Sequence, residues 1–182
     1  MRRTKLSRVI LSHNPPRNLA TPRLLLEVLT PAHAEEMVDV LSHPDIYDFL
    51  DDEPPELEFL RQLYRTQSRN WYGRPISWHN WIITNQATGQ ALGYVQATVN
   101  HSKKTTELGW VVAPEHQGQG FAREATQRVM DEISSWGGCQ LFYCHIDSDN
   151  YASQRLAQAL GFTLTESEPD REQRWERKSQ GS

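Results

Sequence analysis

The stretch Ala113-Pro114-Glu115-His116-Gln117-Gly118-Gln119-Gly120-Phe121-Ala122-Arg123 constrains this chain more than any other. It sets two glycines where a helix should nucleate, although glycine weakens helices. Ahead of it, residues 105–112 have the pattern of a strand. Behind it, Ala122, Ala125, Val129 and Ile133 recur at helical spacing until Gly137-Gly138 ends the run. A glycine-rich turn from strand into helix gathers backbone N–H groups that no helix carbonyl satisfies, at the positive end of the helix dipole. That arrangement is an anion site, and small residues let a phosphate approach the backbone. No Gly-Lys-Ser/Thr follows, so a P-loop is unsupported, and the G-x-G-x-x-G spacing is absent.

The flanking pattern supplies the fold class. Residues 24–29 read as a mostly buried strand, and Thr30-Pro31 opens a helix with a hydroxyl at the N-cap and proline in first position. That helix carries Met37, Val38 and Leu41 and stops near His43-Pro44. A second helical pattern, with Leu57, Leu60 and Tyr64, follows Pro54-Pro55. Residues 78–84 and 91–99 form a strand pair joined at Ala87-Thr88-Gly89, and residues 105–112 are the third member of the meander. Beyond the helix at 121–136 come a strand at 140–146, a helix at 150–160 closed by Gly161, and strands at 162–165 and 173–178. This order predicts one α/β (α+β) domain with a mixed sheet.

At 182 residues, 37% of them hydrophobic, the chain suits a single domain with a sizeable core. The domain is expected over 21–178. A basic, flexible arm (1–20, with Arg2, Arg3, Lys5, Arg8 and Arg17) precedes it, and a short tail (179–182) follows. Val9-Ile10-Leu11 is too short for the core of a secretory signal, and no run approaches the ~20 apolar residues of a membrane span. A net charge of −4 argues against a general nucleic-acid binder. Cys139 and Cys144 read as buried thiols of a reducing compartment, so a cytoplasmic location is expected. His13, His33, His43, His79, His101 and His116 show no ligand spacing, and no metal is expected.

Residues 117–122 also match Q-x-x-G-x-A, which resembles the pyrophosphate-binding loop of the GNAT superfamily of N-acetyltransferases. Glu107-Leu108-Gly109-Trp110-Val111-Val112-Ala113-Pro114 is similar to that family's fourth strand. Asn150-Tyr151-Ala152-Ser153 with Leu160-Gly161-Phe162 resembles its Asn-x-x-Ser helix ending in Leu-Gly-Phe. Thr21-Pro22-Arg23-Leu24-Leu25-Leu26 looks like the opening strand of the branch that includes ribosomal-protein N-terminal acetyltransferases. The resemblance runs from about residue 21 to 178, with its motifs in family order. It implies a sheet of six to seven strands, splayed in a V between strands four and five, with about four helices.

It also implies a cosubstrate, acetyl-CoA, and roles for named residues. Backbone at Trp110, Val111 and Val112 would meet the pantetheine, with Asn150 on the opposite wall. Amides of Gly118, Gln119, Gly120, Phe121, Ala122 and Arg123 would hold the pyrophosphate, with Gln117 buttressing the loop. Ser153 is the implied proton donor to the thiolate, or else a first-turn hydroxyl that satisfies the backbone. A tyrosine seven residues after the helix asparagine is excluded, because that position is Ala157. The base is Glu107, or alternatively His145, because related N-terminal acetyltransferases place a carboxylate base at the corresponding point of strand five.

The acceptor is a primary amine, on a protein N-terminus or on a small polycation such as a polyamine or aminoglycoside; the alternative from another class is a non-catalytic CoA-binding domain that serves as a sensor or partner-binding module. Freeing a lysine amine at neutral pH costs roughly 4.6 kcal/mol against about 1 for an α-amine, so a weak base suits the latter. Residues 44–60 hold seven acids and no basic residue. Asp48 and Asp51 are expected to draw a cationic acceptor, or else the acids serve the next helix's N-terminus and solvent. Trp78 is expected to line the same cleft. The final strand around Trp175 either pairs between subunits or stays capped, giving homodimer or monomer.

Overall fold

The register of one strand pair shapes the molecule. In the computed structural model, which describes residues 16–50, 52–69, 74–167 and 172–179, β5 (Thr105–Val112) and β6 (Leu141–Asp147) run parallel. They pair only as Thr105 with Leu141, Thr106 with Phe142 and Glu107 with Tyr143. Past that point β5 stays on β4 (Ala91–Asn100) and β6 stays on β8 (Glu172–Lys178), so the sheet splits. The expected V is therefore present.

Eight strands form the sheet, in the order β1-β2-β3-β4-β5-β6-β8-β7, rather than six or seven. Here β2 is Leu24–Val28, β3 is Ile76–Asn85 and β7 is Thr163–Ser167. The added strand, β1 (Leu19–Ala20), lies in the segment expected to be a flexible arm. That boundary needs correcting, for physical reasons. Leu19 is buried, the Asn18 side chain accepts from the Val28 N–H, and the Arg17 carbonyl accepts from Trp81 Nε1. The Arg17 guanidinium also pairs with Glu132, Nε to Oε1 at 2.9 Å. A two-residue strand is too short for any periodicity to register. Residues 1–15 of the expected arm lie outside the described residues.

The final strand is covered on both sides within the chain, the second of the two expected arrangements. β8 sits between β6 and β7 and buries Trp175, so the edge of the sheet is β7.

Alternating residues divide the core into two clusters. Trp81, Ile83, Leu108, Phe142 and Cys144 pack with Ala125, Val129, Met130 and Ile133 of α3 (Phe121–Ser135) and Ala157 of α4 (Tyr151–Ala159). Ile82 and Ala91 pack on the opposite side with Ala34 and Met37 of α1 (Ala34–Val40) and Leu60 and Tyr64 of α2 (Leu57–Gln67). The first helix begins as expected behind Thr30-Pro31, with a 3-10 turn first; the Thr30 N–H donates to His33 Nδ1 at 2.9 Å. No helix among the described residues is long and apolar enough to cross a membrane.

Candidate active site

At the open end of the split, Gly118 and Gly120 have φ of 72° and 81°. An L-side chain enters that left-handed region only at a cost of roughly 1–2 kcal/mol, which explains glycine at a helix start. Gly120 is the N-cap of α3 and supplies no side-chain cap, so the amides of Phe121, Ala122 and Arg123 have no intrahelical acceptor. The Gln117 side chain donates from Nε2 to the Val112 carbonyl at 2.9 Å, tying the loop to the end of β5.

A second clasp was not foreseen, although its residue sits inside the Thr21-Pro22-Arg23 motif. Arg23 donates from Nη1 to the Gln119 carbonyl at 2.9 Å and from Nε to Glu124 Oε2 at 2.7 Å. Its guanidinium stacks 4.6 Å from the centre of the Phe121 ring. Burial alone would raise the Glu124 carboxyl, but hydrogen bonds from Thr21 and Arg23 outweigh it and hold the group below its ordinary value.

The walls of the split come next. Trp110 reaches from β5 to α4, where its Nε1 donates to Ser153 Oγ at 3.4 Å. The Ser153 N–H donates in turn to Asn150 Oδ1 at 3.0 Å, making Asn150 the N-cap of α4. Val111 points the other way and packs against the α1–α2 cluster.

At the apex of the split, Glu107 and His145 prove to be one pair. Glu107 Oε1 lies 3.0 Å from His145 Nδ1, and Oε2 accepts from the Tyr143 hydroxyl at 3.2 Å. Glu107 and Tyr143 are register partners and His145 stands two residues further along β6, so all three side chains leave the same face. Tyr143 was missed in the sequence; the alternation Phe142-Tyr143-Cys144-His145 carried the signal. Burial, then the Glu107 charge, pushes the Tyr143 phenol up, and the Arg174 guanidinium stands 4.0 Å over its ring.

A cavity opens on the α1–α2 face of the sheet, lined by none of this trio. Leu29, Leu41, Leu60 and Ile82 form apolar wall, Asn80 and Tyr94 add polar groups, and the exposed acids Asp52 and Glu53 also line it. Of the expected acceptor residues, Asp48 is exposed and does not line the cavity, and Asp51 lies outside the described residues. Trp78 stands on the face of Glu107, in the cross-strand row Trp78, Thr98, Glu107. Among the described residues, no group of three or more His, Cys, Asp or Glu is placed to hold a metal.

The profile of the GNAT acetyltransferase domain matches residues 23–163. The chain belongs to the GNAT acetyltransferase family. The L-amino acid N-acyltransferase MnaT of Escherichia coli (strain K12) is 30% identical over 92 residues, 48% of this chain and 53% of that protein. The spermidine N(1)-acetyltransferase of Vibrio cholerae is 28% identical over 82 residues, 44% of this chain and 47% of that protein. The chain thus spans about half the length of these two curated relatives. Among solved structures, the ribosomal-protein alpha-N-acetyltransferase RimL in complex with coenzyme A has a TM-score of 0.79 at 18% identity. That match covers 90% of this chain and 98% of RimL. Both the family and the split mixed sheet expected from the sequence are found.

Proposed function

We propose that this chain transfers an acetyl group from acetyl-CoA directly to a primary amine, the α-amine of a peptide or protein N-terminus. The observation that carries the reading is the split itself. Its narrow end meets the Glu107, Tyr143 and His145 cluster, and its wide end meets the bare amides that open α3. Residues 118–123 hold the pyrophosphate, and main chain from Trp110 to Val112, with Asn150, holds the pantetheine. Acetyl-CoA supplies the acetyl group as an activated thioester.

The chain's own side chains then have separate tasks. Glu107, oriented by the Tyr143 hydroxyl and the His145 ring, takes the proton of the incoming ammonium. Ser153 is the proton source on the other wall, with Trp110 fixing its hydroxyl. An α-amine needs about 1 kcal/mol to lose its proton at neutral pH, within reach of a half-exposed carboxylate, where a lysine needs roughly 4.6. The free thiols of Cys139 and Cys144 fit the reducing cytoplasm.

A small polycation, such as a polyamine or aminoglycoside, is the second reading. The exposed acids Asp45, Asp48, Asp52, Glu53 and Glu56 favour it. The test measures thiol release from acetyl-CoA with basic peptides, free or blocked at the N-terminus, and with spermidine. Release with free peptides alone supports the α-amine reading; release with spermidine alone transfers it to the polycation. Silence from every acceptor, with acetyl-CoA bound, removes the catalytic reading.

A further inference from the structure

We infer that the cavity on the α1–α2 face takes an apolar group carried next to the acceptor amine, and that the acceptor presents a neutral carbonyl there rather than a free carboxylate. The ligand class is an amino-acid amide or a peptide beginning with an apolar residue. The inference rests on the acetyl-transfer reading for the destination of the amine, but not for what the cavity binds.

Size and lining come first. The cavity measures about 120 Å³, comparable to the roughly 150 Å³ apolar cavities that accept one benzene ring. It therefore suits one aliphatic or aromatic group rather than an extended chain. Asn80 is only 7% exposed, and its Nδ2 has no hydrogen-bond partner among the described residues. Buried amide donors are almost always satisfied, so this one calls for an acceptor oxygen from outside the chain.

Charge decides which oxygen. The titratable groups lining the cavity are Asp52, Glu53, Tyr47, Tyr64 and Tyr94, with no Lys, Arg or His among the described lining residues. Burial, then Tyr47 and Asp52, pushes the Tyr94 phenol up to about 12, and burial pushes Tyr64 up as well, so the phenols stay neutral. A ligand carboxylate would meet two like charges and no cation, whereas an amide carbonyl meets a waiting N–H.

A route to the split is also present. Asn80 pairs in register with Gln96, and Gln96 with Gly109. Two strand spacings, about 10 Å, separate Asn80 from Gly109. A Cβ built at Gly109 touches nothing within 4 Å, so packing does not demand glycine there. The missing side chain leaves open the way from the cavity across β5 to the split. The amine of a short acceptor points from the cavity towards Gly109 while its side chain stays among the leucines.

Calorimetry on the full chain loaded with CoA tests this, using leucinamide, leucine, glycinamide and spermidine, with thiol release from acetyl-CoA read in parallel. Leucinamide should bind about tenfold tighter than leucine or glycinamide, the low end of what one apolar group decides in a hydrophobic pocket. Asn80→Leu should erase its advantage over leucine. Asp52→Asn, a change at an exposed position that the fold tolerates, should narrow the gap between leucinamide and leucine. Leucine binding as tightly as leucinamide overturns the inference, and so does glycinamide or spermidine binding more tightly. Leucinamide bound tightest with no thiol released from any amine supports the cavity assignment and removes the transferase reading. Preferred acetylation of spermidine does the reverse.

Discussion

The two faces of the sheet are built to different standards. Under α3 and α4 the side chains are packed shut. Trp81 and Phe142 are fully buried, His79 lies near-parallel to Trp81 and meets Trp136 at a tilt, and buried Glu132 receives hydrogen bonds from Arg17, Arg128 and Trp136. Under α1 and α2 there is unfilled space lined by Asn80, with exposed acids beside it. The difference teaches where stability and chemistry reside. One face supplies enough burial for the other to carry a half-exposed carboxylate and a cavity without closing over them.

The largest effect expected belongs to the open face. Glu107→Gln should lower kcat/KM for the amine by about 10²–10⁴, with the melting temperature little changed because the side chain is half-exposed. A kinetic assay beside a thermal melt checks this, and a large loss of Tm with intact turnover would erase the contrast between the faces. The closed face should instead answer to pH. Burial, then the charge of His101, lowers His79 to about 4. The unfolded chain binds that proton near the usual 6.5 while the folded chain refuses it. Stability is therefore fully present above about 6.5 and is lost as pH falls towards 4, by about 3 kcal/mol in all. Urea titrations at stepped pH should show this slope, and His79→Leu should flatten it without altering turnover at neutral pH. The smallest effect lies at the cosubstrate end. Arg23→Ala should raise the KM for acetyl-CoA about fivefold, since exposed ion pairs and single loop clasps contribute about 1 kcal/mol. The KM for the amine should stay put; if it moves instead, Arg23 serves the acceptor side.

The same contrast governs what could be read from the sequence. Gly118 and Gly120 announce themselves because a backbone conformation demands a particular residue type, and the surrounding helix and strands announce themselves by period. Both are local. The Glu107 and His145 contact joins residues 38 apart through a register that no periodicity encodes. Each was visible as an alternative to the other, and their union was not. Strand order is equally silent, which is why β8 emerged inside the sheet and β1 emerged from the arm. The cavity draws on β3, β4, α2 and the segment between α1 and α2, so its chemistry exists only once they meet. Arg23 belongs to the Thr21-Pro22-Arg23 motif, yet its reach to Gln119 spans 96 residues of chain.

The short pairing of β5 with β6 has one more consequence. Strand edges normally lie at the two rims of an open sheet, where charge, twist or brevity keeps them from recruiting other chains. This chain carries a further pair of edges in its interior, along residues 108–112 and 144–147, past the last register pair. A ligand that fills the split completes the ladder from within and favours the native state by mass action. On the proposed reading, a cosubstrate seated there would double as protection of these inner edges against self-association.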